Sequence, residues 1–144
     1  MRVYLAHPHD LDVSSLKKKL ESLGIYVYDP MQHEDDLAER WLKASRYEIG
    51  LEEVCGEIVE KNLTNILMSD VVVGVVKNDR PCIGTAMEMM YAWMQGIPVY
   101  VLVKSRDRYL RHHPFLYSLA TVFTSESELV RELRKVVRVV RTSG

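Results

Sequence analysis

Two kinds of apolar run alternate along this chain. Short, mostly apolar runs of β-branched and aromatic residues stand at 2–6, 25–28, 71–76, 99–103 and 121–123, and they predict buried strands. Between them, apolar residues recur every three or four positions, which predicts helices. Val13, Leu16, Leu20 and Leu23 form such a series, with Lys17, Lys18 and Lys19 opposite and Gly24 where a helix would stop. Further helices are predicted over 37–49 and 51–68; in the second, Leu51, Val54, Cys55, Ile58 and Ile66 share a face with Asn62. The last is predicted over 125–140, with Ser125 and Glu128 as a capping box and Leu129, Leu133, Val136, Val137 and Val140 as its buried stripe. Residues 31–36 read as a polar loop and 105–110 as a charged one, and His113-Pro114-Phe115-Leu116 leads into a short apolar turn.

The stretch 69–103 organises the rest. A strand, a loop, a helix opened by Gly84-Thr85 and stopped by Gly96, and a second strand make a βαβ unit with parallel, adjacent strands. Strands alternating with helices throughout predict an α/β, doubly wound, Rossmann-like fold with a parallel sheet. Ligands of such sheets bind at the carboxyl ends of the strands, and the loops 7–10 and 77–84 lie at that edge.

Composition narrows the class. Apolar residues at 47% and charged residues at 27% fit a folded globular chain of 144 residues, read as a single domain over 1–144. A formal net charge of −1 gives no argument for a nucleic acid or a membrane surface as partner. Cys55 and Cys82 have no metal or redox spacing, and no apolar run reaches the length of a membrane span. These features predict a cytoplasmic protein with free thiols.

Within the helix after Gly84, apolar on nearly every side, the one charged residue is Glu88. Thr85 and Glu88 have capping-box spacing, which would account for the carboxylate without any chemistry. The alternative is a carboxylate at the ligand edge, a competent nucleophile toward a sugar anomeric carbon. Asn62 reads either as a helix-face amide or as a pocket amide that binds a base or sugar. Tyr4 reads as core, or as a hydroxyl within reach of the site. His7 and His9 flank Pro8 without a third metal ligand in evident spacing, so no metal is expected. Arg80 is the only arginine of its loop and either a solvated side chain or a phosphate partner. The basic stripe Arg131, Arg134, Lys135, Arg138 and Arg141 reads as a solvated helix face. No glycine-rich dinucleotide fingerprint or P-loop is present.

Taken together, Val3-Tyr4-Leu5-Ala6-His7-Pro8, Asn62-Leu63 with Ser69-Asp70-Val71, Gly84-Thr85-Ala86-Met87-Glu88 through Ala92, and Gly96-Ile97-Pro98-Val99 resemble the nucleoside 2-deoxyribosyltransferase family. The resemblance covers residues 1 to about 104. It implies a flavodoxin-like five-stranded sheet in the order 2-1-3-4-5. It implies cleavage or exchange of the N-glycosidic bond of 2′-deoxynucleosides or their 5′-monophosphates through a covalent deoxyribosyl–glutamate intermediate. Glu88 maps onto the nucleophile and Tyr4 onto the tyrosine that hydrogen-bonds it. Two positions depart. An aspartate is usual at the position of Asn62. At that of Cys82, transferases carry aspartate and the related 2′-deoxynucleoside 5′-phosphate N-hydrolases carry serine.

On this resemblance His7, Pro8, Asn62, Arg80, Cys82, Gly84 and Met87 are expected to border the substrate, with no metal or organic cofactor. A small-molecule nucleoside or nucleotide is the expected partner. The family's sites are completed by a neighbouring subunit. Met89, Met90, Trp93 and Met94 also spread too far round their helix for one sheet face to cover them. A homodimer or higher homo-oligomer is therefore expected. The rival reading is a non-catalytic nucleotide-binding or sensor protein that keeps the pocket without the proton donor.

Overall fold

A computed structural model describes residues 1–32, 36–77 and 83–143. Five strands, β1 (Arg2–Ala6), β2 (Tyr26–Tyr28), β3 (Val71–Val76), β4 (Val99–Val103) and β5 (Thr121–Phe123), form one sheet. All pairings are parallel and the order is β2-β1-β3-β4-β5. The doubly wound expectation and its strand order are both met. Parallel neighbours need crossovers, and these are supplied by α1 (Ser14–Glu21), α2 (Leu37–Tyr47), α3 (Leu51–Leu67), α4 (Ile83–Met94), α5 (Arg108–Arg111) and α6 (Pro114–Leu119), with α7 (Glu126–Ser143) closing the chain.

Side chains alternate across each strand, and the two faces collect separate cores. Val3, Leu5, Val73 and Val75 point to one face, where Leu16 and Leu20 of α1 and Leu129 and Leu133 of α7 cover them. Tyr4, Ala6, Val72 and Val76 point to the other, under Ile66 of α3 and Met89 and Ala92 of α4. Chain reversal between β1 and β3 opens a crevice at their carboxyl ends, between helices on opposite faces.

Gly74, in the centre of β3, leaves room for the helix that packs over it. A methyl group there would overlap Sδ of Met89, so its absence lets α4 lie close on the sheet. Gly24 follows α1 at φ +80°, the left-handed conformation expected of a helix stop.

Four local expectations change. The segment 105–110 carries the start of α5, because Asp107 accepts the amide of Tyr109 and caps it. The apolar turn after His113 is α6, with His113 as its cap and Pro114 in its first turn. Val140 is exposed and Val130 buried, because α7 presents Leu129, Val130, Leu133 and Val137 to the sheet. Helix α4 starts at Ile83, so Thr85 lies inside its first turn, buried, and is not an N-cap for Glu88. Among the described residues no helix is long and apolar enough to cross a membrane.

Candidate active site

Strand β1 delivers Tyr4 to the α4 face with its side chain completely buried. Its ring stacks on Tyr28 of β2, the residue paired with it in register, at a centroid distance of 5.5 Å. That stack aims the phenol toward α4, where the Tyr4 hydroxyl donates to Glu88 Oε2. Burial, then the charge and hydrogen bond of Glu88, push the phenol far above its ordinary value, so it keeps its proton and remains a donor. Burial also pushes the Glu88 carboxyl up, and the Tyr4 bond and the charge of His7 offset only part of that rise. The carboxylate is thus poorly solvated and oriented by one strong donor.

One residue beyond β1, His7 is buried with both ring nitrogens engaged. Nε2 lies 2.8 Å from Asp29 Oδ1 and Nδ1 lies 2.9 Å from the Pro8 carbonyl oxygen. Burial works to lower the imidazole, but the bond and charge of Asp29, with the Pro8 carbonyl and Glu88, outweigh it and hold His7 above its ordinary value. Burial would raise Asp29, yet the bond and charge of His7 and the amide of Met31 hold it below the ordinary carboxylate range. The Pro8 carbonyl also accepts the amide of Leu11 at 3.1 Å, so its two lone pairs are both used.

Two cavities flank α3 and α4. One, of about 390 Å³, lies beyond the carboxyl ends of β1 and β2. Trp41, Met31 and Leu37 wall it, and Asn62, Lys61 and His9 add polar groups. The other, of about 500 Å³, is a groove between α4 and α6 with Met89, Met90, Phe115 and Leu116 on its sides and Lys77 at its margin. Among the described residues, His9 of the loop after β1 borders the smaller cavity and Lys77, just after β3, borders the larger. Neither cavity is lined by Tyr4, His7 or Glu88.

The structure joins Tyr4 to Glu88, sets His7 just beyond the end of the same strand on Asp29, and places Asn62 in the smaller cavity. Gly84 is exposed, and a side chain there would meet nothing. Met87 is 68% exposed and lines neither cavity. Arg80 and Cys82 lie outside the described residues. Sequence reasoning missed Asp29. Its one signal was position, since it directly follows β2, the strand beside β1, and is followed by Pro30. Among the described residues no group of three or more His, Cys, Asp or Glu is arranged to hold a metal ion.

Comparison with known proteins agrees with this architecture. Among solved structures, the 2-deoxyribosyltransferase of Bacillus psychrosaccharolyticus superposes with a TM-score of 0.64 at 21% identity, over 90% of each chain. A conserved protein from Enterococcus faecalis V583 superposes at 0.58 and 18% identity, over 94% of this chain and 98% of that one. The CMP N-glycosidase BcmB of Clostridium botulinum gives 0.47 at 18% identity, over 92% and 98%. No curated protein matches at the level of sequence. The family model of nucleoside 2-deoxyribosyltransferase matches residues 3–133, a span that holds Tyr4, His7, Glu88 and all of the sheet but Arg2, and the chain belongs to that family.

Proposed function

We propose that this protein cleaves or exchanges the N-glycosidic bond of a 2′-deoxynucleoside or its 5′-monophosphate, with Glu88 as nucleophile. The observation that carries the reading is the Tyr4–Glu88 hydrogen bond at the carboxyl edge of the sheet, in a chain of this family. Tyr4 engages Oε2, so Oε1 is the attacking oxygen. It forms a bond to C1′ as the C1′–N bond breaks, and the base leaves with the electron pair and takes up a proton from solvent. A second base or water then attacks C1′ and gives up its own proton to solvent as the C1′–O bond to Glu88 breaks and the carboxylate is released. Poor solvation makes Glu88 a stronger nucleophile in its ionised form, and the Tyr4 donor steadies the charge as it returns at departure.

The base sits in the cavity beside Asn62, with the indole of Trp41 as a stacking wall and the sugar reaching toward α4. Arg80 and Cys82 border the sugar and its 5′ substituent in this reading. The protein acts as one domain over residues 1–144, in the cytoplasm, and assembles at least as a dimer.

One observation favours the rival reading of a binding or sensor protein. The amide of Asn62 can bind a base but cannot serve as its acid. Incubation with a panel of deoxynucleosides and their monophosphates, with and without a second base, separates the two. Release of free base, together with covalent labelling of Glu88 by a 2-fluoro-sugar nucleoside, is the expected result. Ligand binding with neither turnover nor label would overturn the catalytic reading.

A further inference from the structure

We propose that Tyr28 is a positioning residue for the Tyr4–Glu88 pair, and that Arg2, anchored on α3 through Asn65, fixes Tyr28 in that role. The proposal rests on the reading of Glu88 as nucleophile for its effect on turnover, but not for its geometry.

A tyrosine hydroxyl lies on the long axis of its ring, so turning the ring about that axis does not move it. Rotation about χ1 does. The staggered wells of χ1 stand about 120° apart, and a change of well carries the hydroxyl away by several ångströms. The bond from Tyr4 to Glu88 therefore needs Tyr4 kept in one well. Its neighbours in register stand on either side. Val72 of β3 pairs with it on one side and Tyr28 of β2 on the other, and all three belong to the buried cluster under α3 and α4. Tyr28 meets it ring against ring, with centroids 5.5 Å apart and planes inclined at 21°. Neighbouring strands lie only about 4.8 Å apart, so a full ring opposite leaves Tyr4 no room to turn toward β2. A side chain without a ring at that position opens the space and lets Tyr4 turn into it.

Tyr28 is buried, so its influence on the site passes through the residues it touches. It is itself held from the amino end of the sheet. Arg2 precedes Tyr4 by two residues, so its side chain leaves β1 on the same face. The guanidinium carbon lies 5.3 Å from the Tyr28 ring centre and 5.0 Å from that of Tyr26, the partner of Arg2 in register. Both distances are within cation–π range. Arg2 is fixed in turn at two points. Its guanidinium donates to Asn65 Oδ1 at 2.5 Å, and its backbone amide donates to Asp70 Oδ2 at 2.7 Å. Asn65 Nδ2 donates to the Lys61 carbonyl oxygen at 2.8 Å, which ties the guanidinium to the backbone of α3. An unbroken row of contacts thus runs from α3 through Arg2, Tyr28 and Tyr4 to Glu88 on α4.

A double-mutant cycle tests this. The Tyr4 hydroxyl lowers the carboxyl midpoint of Glu88, so Tyr4→Phe is expected to raise that midpoint, followed by ¹³C resonance. In Tyr28→Phe, which keeps the ring, the same rise is expected. In Tyr28→Leu the rise is expected to shrink by about half or more, because the hydroxyl has already left Glu88. His7 also acts on Glu88, but its effect is common to both members of each pair and cancels in the difference. An equal rise in all three backgrounds, which a ring with only a packing role gives, would overturn the proposal, and so would no rise in the wild type. Should Tyr28→Leu not fold, Arg2→Gln is the milder background: a reduced rise supports the proposal and a full one overturns it. Turnover gives a second readout. Tyr28→Leu is expected to lower kcat about tenfold with KM little changed, and Tyr28→Phe to recover most of that loss. The midpoints are read whether or not the protein turns over substrate. A reduced rise in a protein without turnover therefore sinks the nucleophile reading alone, and an active enzyme with equal rises sinks this one alone.

Discussion

Glu88 shows how far a single residue can be read from its neighbours in sequence. One carboxylate in an apolar helix sets Glu88 apart from its neighbours, and that much was legible. The choice between cap and nucleophile was not, because both predict a glutamate three residues after Thr85. Only the helix start at Ile83 and the phenol of Tyr4, from a strand 84 residues earlier, decide which groups the carboxylate meets. The same limit hid Asp29, whose partner His7 is distant in sequence and adjacent in space. On the proposed mechanism, Glu88→Gln is expected to lower turnover by roughly 10³-fold or more, since the anionic attacking group is replaced by a neutral amide. Stability should move the other way at neutral pH. The folded state holds this carboxyl above its unfolded value, so stability is highest below the unfolded value and falls as pH rises through the folded one. Gln escapes that loss. Thermal melts of the two proteins should separate as pH rises from 4 to 8, with the variant the more stable at the upper end.

At the scale of elements the hydropathy pattern was sufficient for the strands, because parallel strands covered on both faces read as unbroken apolar runs. Helices α5 and α6 were harder to see. They are short, and their signals are the local caps Asp107 and His113-Pro114, which a reading based on periodicity passes over. The packing of α4 on β3 could not be read at all, since it depends on which atom stands opposite Gly74. Gly74→Ala must displace the Met89 side chain, whose flexible end can move, and is expected to cost about 1 kcal/mol. Met89→Ala alone is expected to cost about 2–5 kcal/mol through the void it leaves. In the double variant the new methyl enters that void, so the two costs should fall short of adding. Denaturant unfolding of the four proteins measures this directly, and strict additivity would mean that the two residues do not share the space.

The whole molecule leaves an apolar surface uncovered. Met89 turns inward, but Met87, Trp93 and Met94 of α4 and Phe115 and Tyr117 of α6 are exposed. A patch of this kind is rarely left to water. Light scattering at micromolar concentration is expected to report at least a dimer, and Trp93→Arg with Met94→Glu is expected to shift it toward monomer. A wild-type monomer under those conditions would remove the case for assembly. The strand order carries a different consequence, one that concerns time. β1 is paired on one side with β2, at Val3 and Val27, and on the other with β3, at Val3 and Val71. During synthesis the first partner follows at once, whereas the second requires more than forty further residues. At about 5–20 residues per second, one edge of β1 waits for seconds with its amides and carbonyls unpaired. Closing so long a loop is also entropically slow, which places the β1–β3 pairing, and with it the meeting of Tyr4 and Glu88, late in folding. A strand that lies between two neighbours in the finished molecule is thus one whose backbone stands long exposed to other chains while it is being made.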